Sequence, residues 1–350
     1  MSNFIQLHLL TNYAPSNLNR DDLGRPKTAK MGGVDRLRIS SQSLKRAWRT
    51  SAVFEEAMAG HIGIRTKMFG TEVYKTLLEK NVADKSAKKL AQIIAEKFGK
   101  LKKANKDKPL EDLEIEQLAH ISPNEQKSAL ELALACADDG REPNIDELEL
   151  LRKDTEAADI ALFGRMLASA PKYNVEAAAQ VAHAITVNRI AVEDDYFTAL
   201  DDLNEHEEDA GSAHIGETGF GSGVFYTYIC INKTLLMENL GDEELAKKAI
   251  QALTEAAATV APSGKQNSYA SRARALYVMA EKGSQQPRQL SSAFLKPVDD
   301  MDMANAAIER LEILREKMDN AYGKCADDHR VMNVEKGEGT LADILEFVGE

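Results

Sequence analysis

Four long polar side chains are spaced so that a helix would place them on one face. Gln42, Lys45, Arg46 and Arg49 fall at positions i, i+3, i+4 and i+7, and residues with this spacing share one side of an α-helix. The apolar residues between them would lie on the opposite side and pack on a core. Such a face presents a row of cations, and its chemistry is the binding of phosphate.

The residues that lead into this helix favour the same chemistry. Residues 36–39 predict a short strand, and Ser40 or Ser41 can accept hydrogen bonds from the first amides of the helix. The amides that remain at a helix N-terminus attract anions. The alternative is an amphipathic helix whose charged face only meets water.

Positive charge is concentrated in this part of an otherwise acidic chain. Residues 20–49 contain nine basic and three acidic residues and carry a net charge of +6, whereas the whole chain of 350 residues carries −12. A positive strip on an acidic protein indicates one anionic ligand held at one place. It argues against a protein that coats DNA nonspecifically, because the surface of such a protein would be basic throughout.

The composition indicates a cytoplasmic globular protein. Hydrophobic residues make up 43% of the chain, which is enough for a sizeable core. No run of about 18 apolar residues predicts a membrane span, and the N-terminus lacks the pattern of a secretion signal. Cys136, Cys230 and Cys325 are far apart and no C-x-x-C motif occurs, so we expect neither a disulfide framework nor structural zinc.

The sequence contains none of the common catalytic motifs. There is no P-loop, H-E-x-x-H or G-x-S-x-G, and Gly219, Gly221 and Gly223 do not form a dinucleotide fingerprint. The acidic–histidine stretch 327–329 comes nearest to a metal-ligand spacing but stands alone. We therefore expect a binding protein without cofactor or metal, and enzyme activity is the less favoured alternative.

The N-terminal third begins as sheet and continues as helix. Residues 3–11 alternate like a half-buried strand, with His8 as a core or edge residue. Residues 12–35 predict a long loop that carries Arg20 and Lys27, and loops of this length are usually functional or disordered. Residues 53–155 are rich in Ala, Leu, Glu and Lys and predict a helical insertion.

Within that insertion, residues 81–95 and 123–137 have helical periodicity, and residues 144–170 predict one long helix. The linker 97–108 is rich in lysine. It is either a solvated surface or a second contact for target DNA or a neighbouring subunit. The residues that such a contact would use are Lys100, Lys102 and Lys103.

The C-terminal half returns to strands. Residues 180–192 and 222–232 predict strands, and residues 193–221 between them predict a projecting hairpin rather than a disordered loop. Tyr196, Phe197 and Leu200 would be wasted in a fully solvated loop. The remaining predictions are a helix at 242–259, a polar turn at 263–269, a last core strand at 275–280, and helices at 301–320 and 341–348.

Eight stretches carry a resemblance to a known family and occur in the order of that family, at residues 1–5, 18–22, 32–33, 38–47, 161–166, 182–186, 211–216 and 220–226. They resemble the CasC family, which supplies the repeated backbone subunit of the type I-E CRISPR surveillance complex, Cascade. The similarity is loose over residues 60–155 and at the C-terminus.

The resemblance implies an α+β fold with an RRM-like (ferredoxin-like) antiparallel sheet and helices on one side. Residues 1–58 and 171–350 would form this palm, which includes a thumb hairpin at 193–221. Residues 59–170 would form helical fingers.

The resemblance also implies a non-catalytic subunit that binds CRISPR RNA by sequence-independent phosphate contacts. Copies would stack head to tail and leave the bases free to pair with target DNA. Other partners would be the large, small, 5′-end-capping and 3′-hairpin-binding Cascade subunits, without a membrane. The RNA-binding residues would be Arg20, Lys27, Arg38, Ser40, Gln42, Lys45, Arg46, Arg49, Arg165, Met166 and Lys265.

Apolar side chains would complete this interface. By resemblance, Met166 would press on an unstacked base, although a methionine at such a position is usually part of a core. Tyr196, Phe197 and Leu200 would form the wedge of the thumb.

Two other functions compete with this interpretation. A helix-turn-helix regulator would insert residues 41–50 into the major groove, and it requires a short helix before them. A CRISPR RNA-processing endoribonuclease would lose RNA cleavage on substitution of one histidine.

Overall fold

The computed structural model describes residues 4–153, 155–199 and 214–350, so Leu200 and the tip of the predicted hairpin lie outside the described residues. Its strands are β1 (Phe4–Ser16), β2 (Thr28–Met31), β3 (Val34–Ile39), β4 (Ile64–Thr66), β5 (Ala119–Ile121), β6 (Ala179–Val181), β7 (Ala184–Thr186), β8 (Glu193–Ala199), β9 (His214–Asn232), β10 (Ala275–Gly283) and β11 (Asp328–Asn333). Its helices are α1 (Ser41–Arg49), α2 (Ala52–Ala57), α3 (Phe69–Glu79), α4 (Asp84–Phe98), α5 (Pro123–Asp138), α6 (Ala158–Phe163), α7 (Lys233–Leu240), α8 (Glu243–Thr259), α9 (Gln266–Tyr269), α10 (Met303–Tyr322) and α11 (Leu341–Gly349).

The chain folds into two compact units. The first comprises Met1–Phe54, Val181–Cys230 and Ile250–Glu350, and the second comprises Glu55–Gln180 and Ile231–Ala249. No helix in the described part of the chain is long and apolar enough to cross a membrane.

The first unit is built on a sheet with the strand order β11-β10-β1-β9-β7-β3-β2, and β6 and β8 also pair with β9. Pairing is antiparallel between β1 and β10, β10 and β11, β3 and β7, β7 and β9, and β2 and β3. The expectation of an α+β chain with a large antiparallel sheet is therefore confirmed.

Strand β1 is covered on both faces, which corrects the expectation of a half-buried strand. Every residue from Ile5 to Thr11 is buried. Leu7 and Leu9 supply one apolar face, whereas Gln6 and His8 point to the other side of the strand. His8 is a core residue, one of the two positions expected for it, because it is fully buried and its ring contacts the hydroxyl of the buried Tyr226.

The second unit is largely helical. Helices α3, α4 and α5 pack around a core in which the rings of Phe69 and Phe98 meet edge to face, with centroids 5.0 Å apart. A two-stranded sheet, β4 with β5, lies beside them. Helix α5 begins with a capping box, in which Ser122 and Glu125 satisfy each other's backbone N–H groups. The predicted helices at 81–95 and 123–137 are thus confirmed.

The single long helix predicted at 144–170 is wrong. Among the described residues of that stretch, only those of α6 are α-helical, because the acidic residue at the expected helix start closes a loop instead. Glu147 accepts two hydrogen bonds from the guanidinium of Arg141, each at 2.8 Å, and a third from the N–H of Asn144. Gly164 then ends α6 with a φ of +79°.

Three strand boundaries also differ from the prediction. The expected loop at 12–35 contains the end of β1 and all of β2, and the expected strand at 180–192 is divided into β6 and β7. The strand predicted at 275–280 is β10, but it is not the last one, since β11 follows α10. The predicted helices at 242–259, 301–320 and 341–348 are confirmed as α8, α10 and α11.

Candidate nucleic-acid interface

Helix α1 presents the polar face that its spacing predicts. Ser40 precedes it in an extended conformation, and the Ser40 hydroxyl accepts a hydrogen bond from the N–H of Ser43 at 3.3 Å. Leu44 and Trp48 anchor the opposite face because both are buried. Ser40 is therefore the predicted cap. On the polar face Gln42 and Arg46 are exposed, while Lys45 and Arg49 are half-buried.

The helix follows a strand and not another helix. Ser40 alone separates the end of β3 at Ile39 from the start of α1 at Ser41. A helix-turn-helix needs a preceding helix that crosses the DNA backbone. This arrangement contradicts the helix-turn-helix alternative.

Asn19 attaches the basic loop before β2 to the start of α1. The side-chain oxygen of Asn19 accepts a hydrogen bond from the N–H of Ser40 at 2.9 Å. Its backbone oxygen accepts another from the N–H of Lys27 at 2.8 Å, and the Lys27 carbonyl in turn accepts one from the N–H of Arg38 at 2.8 Å. Arg20, Lys27 and Arg38 are thereby placed beside the helix start.

A second loop joins this group through Gly264. A Cβ atom at Gly264 would lie 2.2 Å from the carbonyl oxygen of Leu18, so the two backbones are in close contact that only glycine permits. Lys265 follows with a φ of +50° and is half-buried. The structure therefore brings the residue before Lys265 against the backbone of Leu18, two residues before Arg20, although the two segments are far apart in the sequence. We name the set Arg20, Lys27, Arg38, Ser40, Gln42, Lys45, Arg46, Arg49 and Lys265 the basic seam.

His183 lies beside the basic seam and contacts one of its members. Its Nδ1 atom lies 2.9 Å from a guanidinium nitrogen of Arg38 and can accept a hydrogen bond from it. Desolvation lowers the pKa of His183, and the positive charges of Arg38 and Lys27 lower that pKa further. The imidazole of His183 therefore takes up a proton less readily than a free histidine.

Three of the nine basic residues counted in the sequence do not contribute to the basic seam. Arg36 is fully buried and donates to the carbonyls of Thr186 and Phe294. Arg25 pairs with Asp194 at 2.9 Å and Lys30 pairs with Asp35 at 3.0 Å. The sequence therefore overstates the local positive charge. The basic residues that remain are Arg20, Lys27, Arg38, Lys45, Arg46 and Arg49.

The predicted hairpin is present as β8 paired with β9. Tyr196 lies opposite Glu217 and Phe197 opposite Gly216. Both aromatic side chains are accessible, with 65% of Tyr196 and 43% of Phe197 exposed. The third member of the predicted wedge, Leu200, lies outside the described residues.

The base of this hairpin is attached to the loop that bears Arg20 and Lys27. The side-chain amide of Asn17 donates to the carbonyl of Gly219 in β9 at 2.8 Å, and also to the carbonyl of Gly24 at 2.9 Å. The ring of Phe220 contacts that of Tyr269, with centroids 6.1 Å apart. The hairpin therefore starts at the edge of the basic seam.

Arg165 does not meet the expectation of an RNA contact. It is 4% exposed, and its guanidinium forms an ion pair with the fully buried carboxylate of Glu125 at 2.7 Å. A phosphate could reach that guanidinium only if the pair were broken. Arg165 is therefore removed from the predicted RNA-binding set. Its neighbour Met166 is 82% exposed, so it is not the core methionine that such a position usually holds.

The lysine-rich linker of the second unit is only partly available. Lys100 pairs with Glu116 at 2.8 Å, and Lys102 pairs with Glu114 at 2.7 Å. The hydrogen bond to Glu114 is the main reason that the pKa of Lys102 is raised. Lys103 is exposed. For Lys100 and Lys102, these ion pairs favour the interpretation as a solvated surface over that as a contact for DNA or a neighbouring subunit.

Sequence reasoning missed Asn17, Asn19 and His183. Their roles depend on contacts between segments that are distant in the sequence. Asn19 and His183 nevertheless lie in stretches that resemble a known family, and that resemblance could have indicated them as site residues. It also missed Arg272 and Arg274, which are exposed directly after the loop that bears Lys265. In the described residues no group of three or more His, Cys, Asp or Glu could hold a metal ion.

Comparisons with known proteins add a family and a fold. A family model described as "CT1975-like protein" matches residues 5–346. No curated protein matches the sequence. A chain of a solved structure described as "CRISPR RNA-guided surveillance complex, pre-nicking" is 29% identical, with a TM-score of 0.86 and 99% of each chain covered. A chain of a "CRISPR RNA-guided surveillance complex" is 24% identical, with a TM-score of 0.76 and the same coverage, and supports the fold alone.

Proposed function

Because this chain belongs to the CT1975-like protein family, we propose that it is a non-catalytic subunit of a CRISPR surveillance complex and binds CRISPR RNA along its phosphate backbone. The observation that carries the proposal is the basic seam, in which two loops and a helix start are joined by backbone contacts. A chain that matches this one over 99% of both lengths, with 29% identity, comes from a solved CRISPR RNA-guided surveillance complex. We assign no catalytic residue.

The basic seam suits a sugar-phosphate chain better than a small anion. Its cations come from several segments of the first unit, so they can contact successive phosphates. The first turn of α1 contains no acidic residue, and its N-terminal amides favour negative charge. Lysine and arginine side chains that grip phosphates carry no sequence information, and the bases stay free to pair with a target.

The finer assignment is to the repeated backbone subunit of the type I-E kind, the CasC family. Residues 1–58 and 171–350 would be an RRM-like palm and residues 59–170 the fingers, with the β8–β9 hairpin as the thumb. Tyr196, Phe197 and Leu200 would contact the nucleic acid or the next copy of the chain. Met166 would press on a base. Lys103, with Lys100 and Lys102 less favoured, would contact target DNA or a neighbouring subunit.

Copies of this chain would assemble head to tail along the guide. In a head-to-tail contact, the surface that one copy uses differs from the surface that it binds on the next copy. Such contacts build an open filament unless the rotation between successive copies closes a ring. The ends would be capped by other subunits of the complex, which bind the two ends of the RNA.

The proposal is tested by fluorescence anisotropy with labelled single-stranded RNA of guide length. We expect equal affinity for two RNAs of unrelated sequence, and weaker binding of a DNA duplex of equal length. RNA should also co-purify with the protein when it is expressed beside its CRISPR locus. The absence of RNA binding, or a strong preference for one RNA sequence, would contradict the proposal. Cleavage of the RNA that is lost on substitution of His183 would favour the endoribonuclease.

A further inference from the structure

Two exposed arginines follow the loop that bears Lys265 and are not part of the basic seam. Arg272 and Arg274 lie just before β10, and both side chains are exposed. Within the part of the chain that the structure describes, neither guanidinium forms an ion pair with a carboxylate. The exposed Arg141 and Arg330, in contrast, each form such a pair. The charges of Arg272 and Arg274 are therefore available to a ligand.

The sequence around these two arginines contains no acidic residue. Residues 256–280 include the three cations Lys265, Arg272 and Arg274, but neither aspartate nor glutamate. Residues 2–20 contain no acidic residue either. The chain has 56 acidic residues among 350, so two such stretches side by side form a local positive surface on an acidic protein.

The structure brings these two stretches into contact at both ends of the loop that carries the three cations. At one end Gly264 approaches the carbonyl oxygen of Leu18 so closely that a Cβ atom would lie 2.2 Å from it. At the other end Ala275, the first residue of β10, pairs with Thr11 of β1. The loop therefore spans residues 11–18, which extend over at most about 23 Å at 3.3 Å per residue. The basic seam lies at the Leu18 end, and the two arginines lie toward the other end.

The loop keeps an uncommon backbone conformation between these two contacts. Lys265 and Ala270 have φ angles of +50° and +49°, which residues other than glycine rarely adopt. The N–H of Ala270 donates to the carbonyl of Gln266 at 2.8 Å, and the N–H of Arg272 donates to the carbonyl of Ala270 at 2.7 Å. The hydroxyl of the buried Ser271 donates to the side-chain oxygen of Gln266 at 3.2 Å. Backbone strain persists only where the surrounding structure holds it, and it is concentrated at functional sites and ligand clamps.

The arrangement of the three cations suits a chain of phosphates better than a single anion. Lys265 stands at the start of the loop and Arg274 at its end, so the cations follow a line instead of enclosing one point. The hydrogen bonds of the loop set the distance between Lys265 and Arg272 before a ligand arrives, which lowers the entropic cost of binding. A guanidinium can also donate two parallel hydrogen bonds to one phosphate.

We propose that Arg272 and Arg274 are further phosphate-binding residues, which extend the path of the RNA from the basic seam past Lys265 and along the end of β1. The inference rests on the proposed function, because the ligand is the same single-stranded RNA that the basic seam holds. It lengthens the stretch of RNA that one copy contacts, by one phosphate for each arginine. These contacts carry no sequence information.

The experiment measures RNA affinity against salt concentration with the full chain. Fluorescence anisotropy is recorded with a labelled single-stranded RNA that only one copy can occupy. The test variants are Arg272→Gln/Arg274→Gln, which removes both charges, and Arg272→Lys/Arg274→Lys, which keeps them. Lys317→Gln/Lys324→Gln is the matched control, because it removes two exposed charges in and after α10. Circular dichroism checks that every variant is folded.

We expect the Arg272→Gln/Arg274→Gln variant to lose RNA affinity on the order of tenfold at 0.1 M salt, because the charges that displace counterions are gone. Its slope of log affinity against log salt concentration should be shallower by about 1.4, which is about 0.7 for each of two contacts. The Arg272→Lys/Arg274→Lys variant should keep the slope and lose less affinity, because lysine also neutralises a phosphate but does not form the two parallel hydrogen bonds. The control should behave like the wild-type chain.

Three results would overturn the inference while the proposed function stands. In the first, Arg272→Gln/Arg274→Gln binds the RNA with wild-type affinity and slope. In the second, the control variant loses as much affinity as the test variant, so that general charge explains both. In the third, the test variant binds the short RNA normally but forms smaller complexes with guide-length RNA, and the two arginines then contact a neighbouring copy. If the wild-type chain binds no RNA, the proposed function and the inference both fail.

Discussion

The side-chain oxygen of Asn19 accepts a hydrogen bond from the backbone N–H of Ser40 at 2.9 Å. This bond fixes the loop that bears Arg20 and Lys27 against the residue that caps helix α1. Cations from two segments therefore keep a constant spacing before any ligand arrives. A site organised in this way loses less conformational entropy when it binds.

Substitution of Asn19 by alanine should weaken RNA binding more than it weakens folding. The change removes one hydrogen bond worth roughly 0.5–1.5 kcal/mol of stability, and it detaches the residue before Arg20 from the cap of α1, although the backbone hydrogen bonds of the loop remain. We expect a fall in RNA affinity of about tenfold, equivalent to about 1.4 kcal/mol, measured by anisotropy beside urea unfolding. Asn305→Ala is the control, because it also removes one asparagine side-chain hydrogen bond, to Asp302 at the start of α10 and away from the basic seam. Equal affinities of the two variants would contradict the account.

Substitution of Gly264 by alanine should displace the loop that bears Lys265. The added methyl group would lie 2.2 Å from the Leu18 carbonyl oxygen, and relief of such overlap costs about 1–3 kcal/mol. We expect weaker RNA binding and a lower melting temperature. Ser263→Ala, one residue earlier, adds no atoms and should change neither. Wild-type RNA affinity in a folded Gly264→Ala variant would exclude Lys265 from the basic seam.

His8 should make the protein less stable in mild acid. Tyr226 contacts its Nδ1 atom at 2.9 Å and Glu281 its Nε2 atom at 3.3 Å. Burial lowers the pKa of His8 below its ordinary 6.5, although Glu281 opposes the shift. The unfolded chain therefore binds a proton below pH 6.5 that the folded chain does not, and stability falls there by at most about 1.4 kcal/mol per pH unit.

The measurement is urea unfolding at pH 7.5 and pH 5.5. The pKa values of His183 and His329 are lowered in the same direction, so the contribution of His8 is obtained by comparison with a His8→Gln variant. Its loss of stability between the two pH values should be smaller than that of the wild-type chain. An identical loss would show that His8 is not responsible.

The hairpin should contribute to assembly more than to binding by one copy. Tyr196 is exposed and opposite Glu217 in the pairing of β8 and β9, so Tyr196→Ser removes an apolar ring without opening a core. We expect smaller complexes on size-exclusion chromatography in the presence of guide RNA, and the same affinity for a short RNA that only one copy can occupy. Deletion of residues 194–210 should have a stronger effect of the same kind. Unaltered complex size in both variants would refute this role.

Much of the fold could be predicted because local patterns decide it. The cap at Ser40 and the apolar side of α1 follow from residue types at fixed spacing, and the hairpin follows from two strands that flank an aromatic segment. The helix predicted at 144–170 failed for a reason that spacing does not reveal. Glu147 forms its best hydrogen bonds with a loop and not with a helix start.

The candidate site could be predicted by residue type but not by contact. Arg36, Arg46 and Arg165 look alike in the sequence, yet the first donates to buried carbonyls, the second is exposed and the third is paired with Glu125. The partner that decides each case comes from a distant part of the chain. The close approach of Gly264, the residue before Lys265, to the Leu18 backbone could not be predicted from local patterns either.

The most direct test of the basic seam is the salt dependence of RNA affinity. Arg20 and Arg46 are exposed members of the seam, and Lys317 and Lys324 are exposed residues in and after α10. The double variants Arg20→Glu/Arg46→Glu and Lys317→Glu/Lys324→Glu therefore change the net charge equally. The slope of log affinity against log salt concentration reports the number of phosphate contacts, about 0.7 for each contact with a single strand.

We predict that the seam variant binds RNA much more weakly, with a slope shallower by about 0.7 for each phosphate contact that is lost. The control variant should keep the wild-type slope. If both double variants lose the same affinity and show the same slope, general charge and not the basic seam holds the RNA, and the central claim is wrong.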